Sequence, residues 1–376
     1  IDRGRLFSLL QLRQNRRKTS RLTNRVSSMN KPKRTLRAKT ITMAHGAGGK
    51  AMRDLIEDVF VGTFANPDLE QLEDQARFEL AELMQSGAQL AFTTDSYVVD
   101  PVEFPGGDIG SLAVNGTVND IAVSGAIPKY LSCGMILEEG LDVELLRRVV
   151  ASMKAAADKA GVTIVTGDTK VVPKGKGDKI FINTSGIGVI PEGVDISASN
   201  CRVGDKIIVN GLIGDHGAAI LNARGDLALD VTLETDCQAL NELVQTMLKV
   251  CPDVHAIRDA SRGGVATVLC EFAESSAVSI RLLEELIPVR DTVRGVCEIL
   301  GLDAMYFANE GKLVAAVPAD KAEAVIEAMR NHPAGKDSAI IGEVIESNYN
   351  RVLVKTHFGG ERILDMLVGE QLPRIC

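Results

Sequence analysis

From Ile41 onward, short apolar runs rich in Val, Ile and Thr alternate with stretches of helical period, which is the pattern of a mixed α/β chain. Residues 142–160 set Val143, Leu146, Val150 and Met153 on one face, with Gly161 placed to close the helix. Strands are expected over 89–94, ending in Asp95, and over 162–166 and 179–190. Asp108 can cap a helix that runs through Val123 and stops at Gly125, with Pro128 just beyond.

Periodicity lapses over 191–204, where Pro, Gly, Ser and Asn accumulate, and then restarts at once. The second half reads as strand 206–210, helix 215–223, helix 236–250, strand 254–258 and helix 263–275. Strand 278–282, helix 291–300, strand 312–317, helix 319–331 and strand 339–345 follow. The expected organisation is a basic extension over 1–40, an N-terminal domain over 41–192, a C-terminal α/β domain over 205–365 and a tail over 366–376. No repeat of 20–50 residues is present.

The net charge of −8 over 376 residues hides a split. Residues 1–39 carry 13 Lys or Arg against Asp2 alone, so the remaining 337 residues hold 29 bases and 49 acids, a net of −20. A body that acidic repels nucleic acid and holds anionic ligands poorly without a cation, so any nucleotide should arrive with magnesium. The basic segment has the composition of a transit peptide or of a solvated arm. Met29, followed by Asn-Lys-Pro-Lys, suggests the plainer reading of an extended reading frame, and the segment is set outside the fold. The longest uncharged run, 180–191, has twelve residues, short of the ~20 that span a bilayer. Seven cysteines without a CxxC pair fit reduced cytoplasmic thiols better than a disulfide framework.

Asp residues recur where strands are expected to end: Asp95 in FTTDSY, Asp168 in IVTGDTK and Asp259 in AIRDASRGG. Ligand sites of α/β proteins gather at strand ends, and magnesium takes oxygen ligands, usually a few carboxylates together with substrate phosphates. A single Asp at a strand end is more often a turn former; three beside Gly, Ser or Thr shift that balance. Asn115 and Asn119 lie four residues apart on the helix over 108–124, with Asp120 beside the second, and either cap neighbouring backbone or line a site. Lys170 points to the same side as Asp168 if the chain stays extended. Arg262, Gly263 and Gly264 open a helix that an anion can approach closely. Glu271 lies two turns further in, and Asn309-Glu310-Gly311 precedes another strand. The cluster His45-Gly-Ala-Gly-Gly-Lys50 is not a Walker A loop, because Ala44 and Ala51 occupy two of its defining positions; it is either a surface turn or a phosphate cradle. His216 reads best as a helix cap. The terminal Leu-Pro-Arg-Ile-Cys376 is not a prenylation signal, leaving an arm with a thiol at its tip.

Taken in order, HGAGGKAM, TTDSYVVDP, FPGGDIGSLAVNGTVNDIAVSGAIP, TGDTKVV, GDHGAA, RDASRGGV, FANEGKL and the terminal PRIC closely resemble the HypE family. These are the carbamoyl dehydratases of [NiFe]-hydrogenase maturation, within the aminoimidazole ribonucleotide synthetase-like superfamily. The resemblance spans about 41–376, and the terminal Cys motif is its specific element. It implies a two-domain α/β (α+β) fold whose N-terminal domains pair in a homodimer, with ATP in the cleft between domains. It implies further that HypF carbamoylates Cys376, that the S-carboxamide is dehydrated to a thiocyanate with ATP through a phosphorylated intermediate, and that the cyano group passes to the HypC–HypD complex.

By motif match, Asp95, Asp120, Asp168 and Asp259 would hold Mg2+, with Asp108, Asn115, Asn119, Gly167, Arg262, Gly263 and Gly264 also near the nucleotide. Lys170 and Glu271 are candidates for stabilising the carbamoyl oxygen and taking the nitrogen proton, with His45 in reserve. Two other readings stay open: a small-molecule kinase or synthetase of the same superfamily, and a non-catalytic, ATP-gated assembly protein. Neither needs the terminal Cys.

Overall fold

The computed structural model describes residues 35–71, 75–225, 233–346 and 349–366. Cys376, most of the tail and most of the basic extension lie outside them. The first half builds one four-stranded sheet from β1 (Gln89–Tyr97), β4 (Ile127–Glu138), β5 (Thr163–Val172) and β6 (Ile180–Ile190), in the order β1-β6-β4-β5. Between β1 and β4 lie a two-residue ladder, β2 (Glu103–Phe104) with β3 (Gly107–Asp108), and the helix α2 (Ile109–Val123); a short α1 (Lys50–Leu55) precedes them all.

Asp108 caps α2, accepting the Ser111 N–H at 2.8 Å, and α3 (Val143–Ala160) runs from its cap Asp142 to Gly161 in the left-handed region. α3 buries one face, with Leu146, Val149, Val150 and Met153 fully enclosed, as an amphipathic helix should. α2 is different: it is buried nearly all round. One side lies on β1 and β6, another meets α3, and the remainder faces the second half of the molecule. A helix apolar on every side is one wedged between layers.

The second half forms a seven-stranded sheet in the order β13-β12-β9-β11-β7-β10-β8. Its elements are β7 (Lys206–Val209), α4 (Asp215–Ala223), α5 (Asn241–Val250), β8 (Ala256–Asp259), α6 (Gly264–Ser275), β9 (Ser279–Leu283) and α7 (Asp291–Leu300). There follow β10 (Leu313–Val317), α8 (Ala322–Arg330), β11 (Ala339–Ile345), β12 (Val352–Lys355) and β13 (Glu361–Leu364). β10 shows why this sheet is layered on both sides. Val314 and Ala316 join the core under α6, while Leu313, Ala315 and Val317 join the one under α5 and α8, and alternate side chains of a strand point to opposite faces.

The structure departs from the sequence-based elements in six of its elements. β1 continues through Tyr97 and β5 through Val172, so Asp95 and Asp168 stand inside strands; only Asp259 ends one. The helix expected from residue 236 starts at Asn241, because 235–240 carries no regular structure and is held by bonds to other segments, such as Thr235 N–H to Pro105 O at 2.9 Å. β4, the central strand joining β5 and β6, was not anticipated. Its alternation of buried Leu131, Cys133, Met135 and Leu137 is a strand signal, obscured by Pro128 and Gly134. β12 and β13 were also missed.

Candidate active site

A cavity opens where β1, α2, β8 and the turn before β10 converge, and Asp95, Tyr97, Asp120, Asp259, Arg262 and Glu310 line it. β1 supplies Asp95 from the side facing α2, since its partner Thr184 is fully buried under the helix. α2 supplies Asp120 and, one turn earlier, Gly116. A Cβ at Gly116 would stand 2.3 Å from the Tyr97 hydroxyl oxygen, so only glycine lets Tyr97 cross the helix there. β8 delivers Asp259 at its end, and the chain turns through Ser261 and Arg262 into α6. Gly264 starts that helix at φ 62°, where a Cβ would lie 2.4 Å from the Met305 carbonyl oxygen. The helix therefore begins close against 305–307, with its first N–H groups left without intrahelical acceptors.

The electrostatics are those of acids gathered faster than bases. Burial and then the charges of Asp259 and Asp95 push the Asp120 carboxyl up to about 7. Burial pushes Asp259 up to about 6, with Asp95 adding to it. Glu310 is fully enclosed and raised well above the usual carboxylate range by burial and by Asp259, Asp236 and Asp95. Its Oε1 has no hydrogen-bond partner among the described residues. A buried, unpaired acceptor is costly and rare. The cations close by are Arg262, whose Nη2 lies 3.4 Å from Asp95 Oδ1, and Arg258, held at 2.8 Å by Glu271.

Of the residues singled out in the sequence, Asp95, Asp120, Asp259 and Arg262 meet here, with Gly263 and Gly264 forming the adjoining helix start. Asp168 does not join them. It pairs in register with Gly134, on the opposite face of the sheet from Asp95, and β5 and β1 are opposite edges three strand spacings apart, about 14 Å. Gly167 lies beside it, so close to β4 that a Cβ would meet the Cys133 carbonyl oxygen at 2.3 Å. Lys170 is on the same side as Asp168, as extended backbone requires, and bonds it at 2.6 Å, which lowers that carboxyl.

Asn119 is spent on main chain: Nδ2 donates to Gln238 O at 3.1 Å and Oδ1 accepts from Leu240 N–H at 2.8 Å. Asn115 donates to Cys237 Sγ at 3.3 Å. Both amides clasp the second domain rather than face the cavity. Asp108 is the α2 cap, roughly 18 Å along the helix from Asp120. Glu271 points to Arg258 outside the cavity lining. His45 is buried with Nδ1 accepting from Thr42 N–H at 2.9 Å, and Gly46 packs on Val171 of β5. His216 is buried against Thr235 at 2.7 Å.

Sequence reasoning assigned no role to Glu310 or Tyr97. The available signal for Glu310 was its place immediately before the apolar run 313–317, since a carboxylate entering a core is seldom buried without a purpose.

Among the described residues no three His, Cys, Asp or Glu stand close enough to hold a metal ion by themselves. A four-Asp cage within one chain has no support there, with Asp168 on the far edge of the sheet. What remains is the arrangement magnesium usually adopts, in which one or two carboxylates and several waters share the ion with phosphate oxygens. The orphaned Glu310 oxygen and the mutual repulsion of Asp95, Asp120 and Asp259 fit a cavity built to receive positive charge.

Two family models divide the chain: AIR synthase related protein, N-terminal domain, over residues 73–190, and its C-terminal domain over 202–355. The chain belongs to the AIR synthase related proteins. Within them it is a member of the carbamoyl dehydratase HypE family. It is 55% identical over 341 residues to carbamoyl dehydratase HypE of Rhodobacter capsulatus, covering 91% of this chain and 99% of that protein. A crystal structure of hydrogenase maturation protein HypE in complex with ATP superposes with a TM-score of 0.85 at 48% identity, covering 90% of this chain and all of that one. A HypE–HypF complex gives 0.72 at 46% identity, covering 83% and 99%. The fold extends to thiamine monophosphate kinase bound to AMPPCP and TMP, at 22% identity and a TM-score of 0.57. No helix among the described residues is long and apolar enough to cross a membrane.

Proposed function

We propose that the chain converts an S-carboxamide on Cys376 to a thiocyanate at the expense of ATP, in the cavity between its two domains. It is a carbamoyl dehydratase of hydrogenase maturation. The observation that carries the reading is the convergence of Asp95, Asp120, Asp259 and the unpartnered Glu310 on one cavity beside a glycine-opened helix start.

An amide oxygen is a poor leaving group, so it must first be activated. The carbamoyl oxygen takes the γ-phosphoryl group of ATP, ADP leaves, and one nitrogen proton is lost as C=N character develops. The phosphate then departs with the C–O electrons, the second nitrogen proton is removed, and C≡N results. Arg262 and the first N–H groups of α6 are placed to hold phosphate oxygens. One or two of Asp95, Asp120 and Asp259 would hold Mg2+ together with phosphate oxygens, and the ion would compensate their charge. Once bound positive charge ionises Glu310, its unpartnered Oε1 makes it the proton acceptor in place of Glu271, which Arg258 occupies.

The face of the N-terminal sheet away from α2 exposes Leu90, Phe92 and Ile136, with Phe92 72% accessible. An apolar surface of that kind suits a twin chain. Asp168 and Lys170 point to the same open side, which supports a site completed by both chains of a homodimer. HypF is the carbamoyl donor and HypC–HypD the acceptor of the cyano group; free, mostly buried cysteines suit the cytoplasm.

Intact mass after incubation with HypF, carbamoyl phosphate, ATP and Mg2+ tests the reading. The full chain gains a carbamoyl group and then loses one water, and the Cys376→Ala chain does neither. A folded, ATP-binding chain whose mass never changes would point instead to a small-molecule kinase.

A further inference from the structure

Behind the cavity, Asp236 is buried together with Lys312, their side chains 4% and 8% exposed, and Asp236 Oδ2 meets Lys312 Nζ at 2.9 Å. The same carboxylate accepts the Glu310 N–H at 3.0 Å and the Gly311 N–H at 3.3 Å. The other side of this peptide is also fixed. Glu310 O accepts from Asn119 Nδ2 and Gln238 N–H, both at 3.4 Å, and Gln238 Nε2 donates to Gly311 O at 3.2 Å. Gly311 admits the clasp: a Cβ there would lie 1.9 Å from the Asp236 carbonyl oxygen.

Nothing in the stability of a fold demands such a pair, because well-packed apolar residues commonly replace a buried ion pair without loss. What the pair does achieve is to immobilise the main chain of Glu310, a residue of the cavity lining whose Oε1 has no partner among the described residues. Resting on the reading of Glu310 given above, we infer that Asp236, held by Lys312, is a positioning residue that fixes the Glu310 carboxyl against the reacting nitrogen. Asp236 is not among the residues that line the cavity.

The full-length chain, carbamoylated on Cys376 by HypF, provides the test. Single-turnover water loss on adding Mg-ATP is compared for wild type, Asp236→Asn, Glu310→Gln and the double variant, with ATP affinity and melting measured on each. Misplacing a catalytic group by about an ångström costs on the order of 100-fold. Asp236→Asn is therefore expected to slow water loss by roughly 10- to 100-fold with ATP affinity kept, and the double variant to match Glu310→Gln alone, as groups acting through one another do.

Equal loss of ATP affinity and rate in Asp236→Asn, or losses that multiply in the double variant, would overturn the inference. A Glu310→Gln chain with normal water loss would instead sink the reading of Glu310 itself. If Asp236→Asn does not fold, Gly311→Ala displaces the same peptide by driving it off Asp236. Should neither fold, the pair is a folding element and the inference falls.

Discussion

Two groups of carboxylates in this molecule behave in opposite ways. Asp168 on the open face of the N-terminal sheet has Lys170 beside it, and its carboxyl is lowered by that bond. Asp120, Asp259 and Glu310 between the domains have more acid than base around them, and burial with mutual repulsion raises all three. The first arrangement satisfies itself and contributes little to stability, as exposed pairs do. The second is unfavourable as it stands. It is relieved by whatever brings positive charge, and that dependence is what a binding site for Mg-ATP requires.

The largest effect should come from removing one member of the repelling set. Asp120→Asn is expected to weaken Mg-ATP binding by roughly 100-fold, of the order of a lost charge-assisted contact at ~1.5–3 kcal/mol. It should also stabilise the metal-free protein at pH 8 by ~1–3 kcal/mol, since a raised carboxyl is a destabilised anion. Titration calorimetry and denaturant melts read the two effects; weaker binding together with lower stability would break the contrast between the two groups.

Next in size is the effect expected if, as proposed, two chains complete one site. Chains carrying Lys170→Ala and chains carrying Glu310→Gln should each dehydrate at least roughly tenfold slower, and mixing them should restore activity through sites that combine the intact Lys170 of one with the intact Glu310 of the other. No recovery in mixed dimers would assign Lys170 to its own chain or to no role.

The pH dependence of metal-free stability sharpens the comparison further. Asp120 and Asp259 have folded values near 7 and 6, above the ordinary 3.8. Their protonated forms favour the fold, so their contribution is full below about pH 4 and is lost as pH rises through 6 to 7. Melting temperature should therefore fall between pH 5.5 and 8 without ligand, by roughly 1–3 °C for ~1–2 kcal/mol in a chain of this length, and the fall should shrink when Mg-ATP is added. The smallest effect is expected at the self-satisfied pair: Asp168→Asn should change stability by less than ~0.5 kcal/mol.

Much of the fold was legible because its signals are local. The α3 stripe, its cap Asp142 and its stop at Gly161 all sit within twenty residues of chain, as do the Asp108 cap and the length of α2. Asp95, Asp120, Asp259 and Arg262 were legible as a set through their motifs. Strand order was not. Asp95 and Asp168 look alike in sequence, and only the order β1-β6-β4-β5 places them on opposite edges and faces. Glu310 was equally hidden, because its burial exists only once Asn119 of the first domain and Asp236 of the second close on its main chain. Asn115 and Asn119 show the reverse: polar groups on a buried face that hold the domains together rather than a ligand.

The measurement that bears most directly on this account is intact mass of the carbamoylated Glu310→Gln chain after adding Mg-ATP. The account predicts a chain that binds ATP as the wild type does and stays at the carbamoyl mass, while the wild type loses one water. Loss of water at the wild-type rate would show that the buried carboxyl between the domains is not the proton acceptor, and would contradict the account at its centre.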